Sequence, residues 1–202
     1  MSDSDFGKPT PIISRIRVPQ QYYRQPVISR LVSRYNLTVN IKAASLTSDS
    51  NADGWFELEL SGNPQQLALS LSYLQGLGVD LIQLAIANHI QHQNPQPFPN
   101  STSNLTPKES PLKQDISIGQ NNRLRLQLCI LKNYHSQPII SELVSHYGLT
   151  VNITSAMLNS HIQEDGWFDL DLWGRPQQLR ASLNYLEKLG LPLWLVPIAE
   201  SN

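Results

Sequence analysis

The chain has 202 residues, 40% of them hydrophobic, with 15 basic and 16 acidic side chains for a net charge of −1. That size supports one large or two small packed cores, and the balanced charge excludes a broad electropositive surface for nucleic acid or anionic membrane. A single cysteine, Cys129, excludes an intrachain disulfide, a zinc knuckle and a cysteine-ligated iron–sulfur cluster.

Residues 1–11, MSDSDFGKPTP, lack a basic stretch followed by an apolar one and are read as a flexible tail. No later run approaches the roughly 18 apolar residues of a membrane span, so the expectation is a cytoplasmic protein without membrane insertion. IISRIRV (12–18) alternates polar and apolar residues and predicts a first strand. Pro26 suits a first helical position, Ile28, Leu31, Val32 and Tyr35 recur at helical spacing, and Asn36, tolerant of a left-handed cap, predicts the stop. LTVNIKAASL (37–46) predicts a second strand, and a polar loop then leads to Asp53-Gly54, a turn that opens a third strand ending at Gly62. Asn63-Pro64 supplies a cap and a first helical residue, while Leu67, Leu71, Leu74 and Leu77 form the stripe of a second helix that Gly78 terminates. VDLIQLAI (79–86) predicts the last strand.

Residues 88–121 are rich in Pro, Asn, Ser and Gln without an apolar period and read as a disordered linker with a reach of roughly 30 Å. The whole order then repeats. Placing Gln25 over Gln137 without a gap pairs Tyr35 with Tyr147, Asn40 with Asn152, Gly54 with Gly166, Pro64 with Pro176 and Gly78 with Gly190, and more than half the paired positions from Gln25 to Gly78 are identical. Pro138 opens the corresponding helix and Gly148 stops it. Two copies are too few for a solenoid, so each closes its own core or pairs with the other.

The order βαββαβ predicts an α+β fold of two ferredoxin-like units in tandem, residues 12–87 and 122–200, each a four-stranded antiparallel sheet with both helices on one face. With Phe56, Leu58 and Leu60 under the helices, Trp55, Glu57 and Glu59 point to the open face beside Arg15, Arg17, Asn40 and Lys42. The second open face carries Arg123, Arg125, Asn152, Trp167, Asp169, Asp171 and Trp173. First and third strands are neighbours in this plan, so the arginines are expected to meet the carboxylates as cross-strand pairs.

At QPVISRLVSRYNLTVNI, DGWFELELSG and PQQLALSLSYLQGLGV the sequence resembles the NIL domain, the small module at the C-terminus of methionine-importer ATPases. The resemblance covers both repeats. It implies an ACT-like regulatory domain that binds methionine and couples its level to import by pairing with a second copy of itself. No GxxxxGK[ST] phosphate loop and no cysteine-rich cluster domain accompanies the repeats, so the transporter role does not carry over.

Chemistry-bearing residues are sparse. Cys129 falls where the first copy has Arg17 and reads as a strand thiol. His89 and His92 form HxxH without further ligands at a definable spacing, and His135, His146 and His161 have no counterparts in the first copy, so neither a metal nor a cofactor is expected. The ladders Glu57/Glu59 and Asp169/Asp171 are either an acid–base pair or an ion-pair surface, and the neighbouring arginines favour the surface. The open-face aromatics lack the RNA-recognition pattern, so no nucleic acid is expected. No nucleophile, base and orienter assemble from paired positions, and the expectation is no enzyme.

Asn40 and Asn152 stand out. A strand asparagine can simply occupy a polar face, or its carboxamide can bind the α-amino and α-carboxylate groups of an amino acid. The resemblance favours binding, because the V-N-I strand lies where two domains meet, with Ile41, Leu46, Ile153, Met157 and Leu158 as apolar neighbours for a thioether. The leading expectation is a non-enzymatic regulatory or sensor module whose units, paired within the chain or in a homodimer, bind a methionine-like amino acid between them. The alternative is an adaptor that docks a transporter or enzyme complex through Trp55, Trp167 and Trp173, without a small ligand.

Overall fold

The computed structural model describes residues 11–47, 52–86, 122–159 and 164–197. The linker expected over 88–121, with His89 and His92, lies outside the described residues, as do His161 and all of the expected tail but Pro11. The first unit runs β1 (Ile12–Val18), α1 (Val27–Tyr35), β2 (Thr38–Leu46), β3 (Gly54–Ser61), α2 (Pro64–Gly76) and β4 (Asp80–Ile86). The second runs β5 (Arg123–Ile130), α3 (Ile139–Ser145), β6 (Thr150–Leu158), β7 (Gly166–Trp173), α4 (Pro176–Lys188) and β8 (Leu193–Val196). This is the expected α+β plan of two βαββαβ units.

Local chemistry accounts for the helix boundaries. Asn36 ends α1 in the left-handed region at φ 50°, and Gly148 makes the corresponding bend after α3 at φ 65°. Asn63 caps α2 by accepting from the Gln65 N–H at 2.9 Å. Arg175 stands in that place before α4, where the Gln178 side chain folds back to accept from the Arg175 N–H at 2.9 Å. Pro26 and Pro138 sit one position earlier than expected, as N-caps with ψ of 64° and 59° rather than as first helical residues. Their missing N–H falls where a helix has no intrahelical acceptor for it.

All eight strands form one sheet in the order β4-β1-β3-β2-β6-β7-β5-β8, so the two units share a seam where β2 meets β6. The seam is antiparallel and pairs Ala44 with Leu158, Ser45 with Met157 and Leu46 with Ala156. Each of these strands carries a β-bulge, between Ile41 and Ala43 in β2 and between Ile153 and Ser155 in β6. The extra residue changes the side-chain parity, so that Val39 and Ile41 before it and Ala44 and Leu46 after it are all buried. The seam ladder begins beyond the bulge. Asn40 and Asn152, before it, therefore have no strand partner across the seam. Helices α1 and α3 pack on each other and against the opposite unit's β6 and β2, joining the aliphatic residues of both units in one core.

Candidate functional site at the seam

Hydrogen bonds across the seam come in pairs with the units exchanged. The Asn40 carboxamide donates to the His135 carbonyl at 3.1 Å, and the Asn152 carboxamide donates to the Tyr23 carbonyl at 2.8 Å. The Val39 N–H donates to Ser141 Oγ at 3.1 Å, and the Val151 N–H to Ser29 Oγ at 3.2 Å. These backbone donors lie before the bulge, where no strand meets them, and a buried serine on the other unit's helix satisfies each one. One further bond, from Ser155 Oγ to the Leu46 carbonyl at 3.0 Å, has no counterpart because the first copy has Ala43 at that position.

A cleft lies beside each asparagine. One, about 260 Å³ including its solvent-open part, is lined by Asn40, Ile41 and Leu158 together with His135, Gln137 and Ile139. The other, about 330 Å³, is lined by Asn152, Ile153 and Leu46 together with Tyr23, Gln25 and Val27. Six of the seven residues singled out from sequence thus fall into two groups of three, each drawn from both units. Met157 joins neither group. It stands opposite Ser45 across the seam and Trp167 within its own sheet, because the bulge turns Ala156 and Leu158, not Met157, toward the core.

The clefts differ in their polar groups. Neither asparagine side-chain oxygen has a hydrogen bond among the described residues, so each remains an available acceptor while its amide is engaged. The Tyr23 hydroxyl donates to the Ala52 carbonyl, and burial, helped by Asp53, pushes its pKa up to about 12. At the corresponding place His135 presents a buried Nε2 with no hydrogen-bond partner. Sequence reasoning missed Tyr23, Ser29, His135 and Ser141. The serines carried a usable signal, an identical polar residue at a buried helical position in both copies; the loop residues differ between copies and carried none.

On the open face the three tryptophans are half-buried against their own chain. The Arg15 guanidinium lies 5.9 Å from the Trp55 ring, Arg123 lies 5.2 Å from Trp173, and Trp167 packs 5.5 Å from Trp194. The expected arginine–carboxylate pairs form in the second unit, where Arg123 holds both oxygens of Asp171 at 2.9 and 2.6 Å and Arg125 approaches at 3.4 Å. The hydrogen bond to Asp171 raises the Arg123 pKa further. The first unit differs from the expectation: Arg17 pairs with Asp80 and, at 3.8 Å, with Asp53, while Glu59 takes Lys42 at 3.5 Å. Arg15 stands opposite Glu57 in the ladder. Cys129 is buried, and burial with Asp165 pushes its thiol up to about 11, far from thiolate chemistry. Among the described residues no cluster of three or more His, Cys, Asp or Glu could hold a metal ion.

The NIL domain family model matches residues 12–81 and 124–194, one stretch in each unit. The chain belongs to the NIL domain family. An uncharacterized protein from Synechocystis sp. is 37% identical over 73 residues, 36% of this chain and 74% of that protein. Another, from Synechococcus elongatus, is 35% identical over 71 residues, 35% of this chain and 88% of that one. Among solved structures, the C-terminal domain of an ABC transporter ATP-binding protein from Enterococcus faecalis is similar at a TM-score of 0.33 and 20% identity, covering 40% of this chain and 87% of the other. A putative glycine cleavage system transcriptional repressor gives 0.30 and 10%, covering 95% and 98%. No helix among the described residues is long and apolar enough to cross a membrane.

Proposed function

We propose that the two NIL units form a non-enzymatic, cytoplasmic sensor that binds a methionine-like amino acid in the clefts beside Asn40 and Asn152. The observation that supports this reading is the reciprocal pair of carboxamides, each bonded through its amide to the other unit's backbone while its oxygen has no hydrogen bond among the described residues. In such a site the ligand's α-ammonium donates to the asparagine Oδ1, and its α-carboxylate competes with the Tyr23 or His135 carbonyl for the amide. Ile41 with Leu158, or Ile153 with Leu46, receives the thioether, whose soft, flexible chain adapts to a narrow apolar slot. Because the same amide both holds the seam and meets the ligand, occupancy alters how the units are held together. The adaptor reading has less support, since all three indoles are engaged by side chains of their own chain.

Calorimetric titration with methionine, norleucine and leucine tests the proposal. Binding is expected for methionine, reduced in Asn40→Ala and Asn152→Ala and lost in the double variant. A ligand held at 100 times its dissociation constant would also add about 2.7 kcal/mol to stability. Absence of heat at millimolar methionine, with the protein shown to be folded, would remove the basis for a sensor of this class.

A further inference from the structure

One difference between the two NIL units lies on the open face of the second. Over the open face of the second unit lies a solvent-open cleft of about 1500 Å³, lined by Arg24 from the first unit's β1–α1 loop and by Arg123, Arg125, Asp169, Asp171 and Trp173 from the second. The repeat offset puts Ser136, Pro11, Ile13 and Ser61 at the positions of Arg24, Arg123, Arg125 and Trp173. Three guanidiniums and an indole thus line one cleft where the corresponding residues of the other copy carry neither charge nor aromatic ring. Unlike the four paired hydrogen bonds of the seam, this group has no symmetric counterpart.

The charges in the cleft are unequal. Asp171 is nearly fully buried and is shared by Arg123 and, less closely, Arg125. Asp169 accepts from Gln127 Nε2 at 3.0 Å. Arg24 is exposed and has no ion pair among the described residues. Among the described lining residues, three positive groups against two negative ones leave one net positive charge, and the single 3.4 Å contact of Arg125 leaves most of its N–H donors available. Trp173, with the Arg123 guanidinium 5.2 Å from its ring centroid on one side, lines the same cleft.

We propose that this cleft binds a small anionic ligand in which a phosphate or carboxylate is joined to a flat ring, with the oxyanion held by Arg24 and Arg125 and the ring against Trp173. Guanidinium groups suit both oxyanions, since their planar forks match carboxylate and phosphate geometry. The site is distinct from the clefts proposed for the amino acid, although Tyr23 and Asn152 border both it and one of them.

The test is titration of the full chain with phenyl phosphate, benzoate and inorganic phosphate, read by tryptophan fluorescence and calorimetry. Phenyl phosphate or benzoate is expected to bind at least about tenfold more tightly than inorganic phosphate, and the better of the two identifies the oxyanion. Arg24→Ala, a change at an exposed loop residue, should weaken binding about tenfold, and Asp169→Asn should tighten it by removing a negative charge from the cleft. Trp173→Ser should abolish the fluorescence change. The proposal is overturned if neither ring-bearing anion binds at millimolar concentration, if inorganic phosphate binds as well as they do, or if Arg24→Ala and Asp169→Asn leave affinity unchanged. Methionine titration of Arg24→Ala separates this site from the seam clefts, because methionine binding should persist there.

Discussion

Replacing Asn152 by alanine removes the donor that reaches the Tyr23 carbonyl at 2.8 Å from a side chain only 4% exposed. A neutral hydrogen bond contributes about 1 kcal/mol net, and a buried acceptor left unpaired costs about 1–3 kcal/mol, so a loss of about 1–2 kcal/mol is expected. Asn40→Ala should behave alike through His135, and the two should add to about 2–4 kcal/mol because they share no partner. In urea, a loss of about 2 kcal/mol at a slope of about 2 kcal/mol/M lowers the unfolding midpoint by roughly 1 M. Asn152→Asp sharpens the test. At neutral pH it sets a carboxylate against a carbonyl in a buried place, so it should destabilise more than alanine. Acidification should narrow that difference, since the protonated carboxyl again donates. Equal midpoints for wild type and Asn152→Ala, or no difference between the alanine and aspartate variants, would refute the role of the carboxamide in holding the seam.

Three further outcomes follow from geometry. Cys129 should resist alkylation at pH 8 in the native state and react once denaturant exposes it; its raised thiol pKa also means that the stability it confers is full below pH 9 and lost as pH rises toward about 11, with Tyr23 adding to the loss from pH 10 toward about 12. Gly148→Val should cost at least about 1–2 kcal/mol by thermal unfolding, because a β-branched residue is forced to φ 65°, whereas Gly148→Asn should cost less, since Asn36 already occupies that conformation in the first unit. Asp171→Asn should cost about 1–3 kcal/mol in urea unfolding, since it weakens three arginine hydrogen bonds at a buried acceptor.

Much of the fold was legible because the sequence states it twice. Alternation in β3 and β7, the Asn63-Pro64 cap and the left-handed stops at Asn36 and Gly148 are local signals, and the structure follows them. The bulges were not legible: an inserted residue in β2 or β6 reads as continued alternation, so Met157 on β6 was grouped with residues that the bulge turns the other way. The prolines were misplaced by one position because sequence does not separate an N-cap from a first helical residue when both tolerate proline. At the candidate site, Asn40 and Asn152 were found, but their partners Tyr23 and His135 were not. Those contacts span 129 and 95 residues and depend on how the units dock, which no local pattern encodes. Arg17 was expected to meet the β3 carboxylates and instead turned to Asp80 on β4 and Asp53 before β3, a choice between nearby acids that strand parity leaves undetermined.

The single continuous sheet bears on how a signal would depend on protein abundance. Two separate copies that met at β2 would associate according to their own concentration, so their response to a metabolite would drift with expression. Here β2 and β6 belong to one chain, and the partner's local concentration is set by covalent connection rather than synthesis. The pairing of the two units is therefore the same at any copy number of the chain.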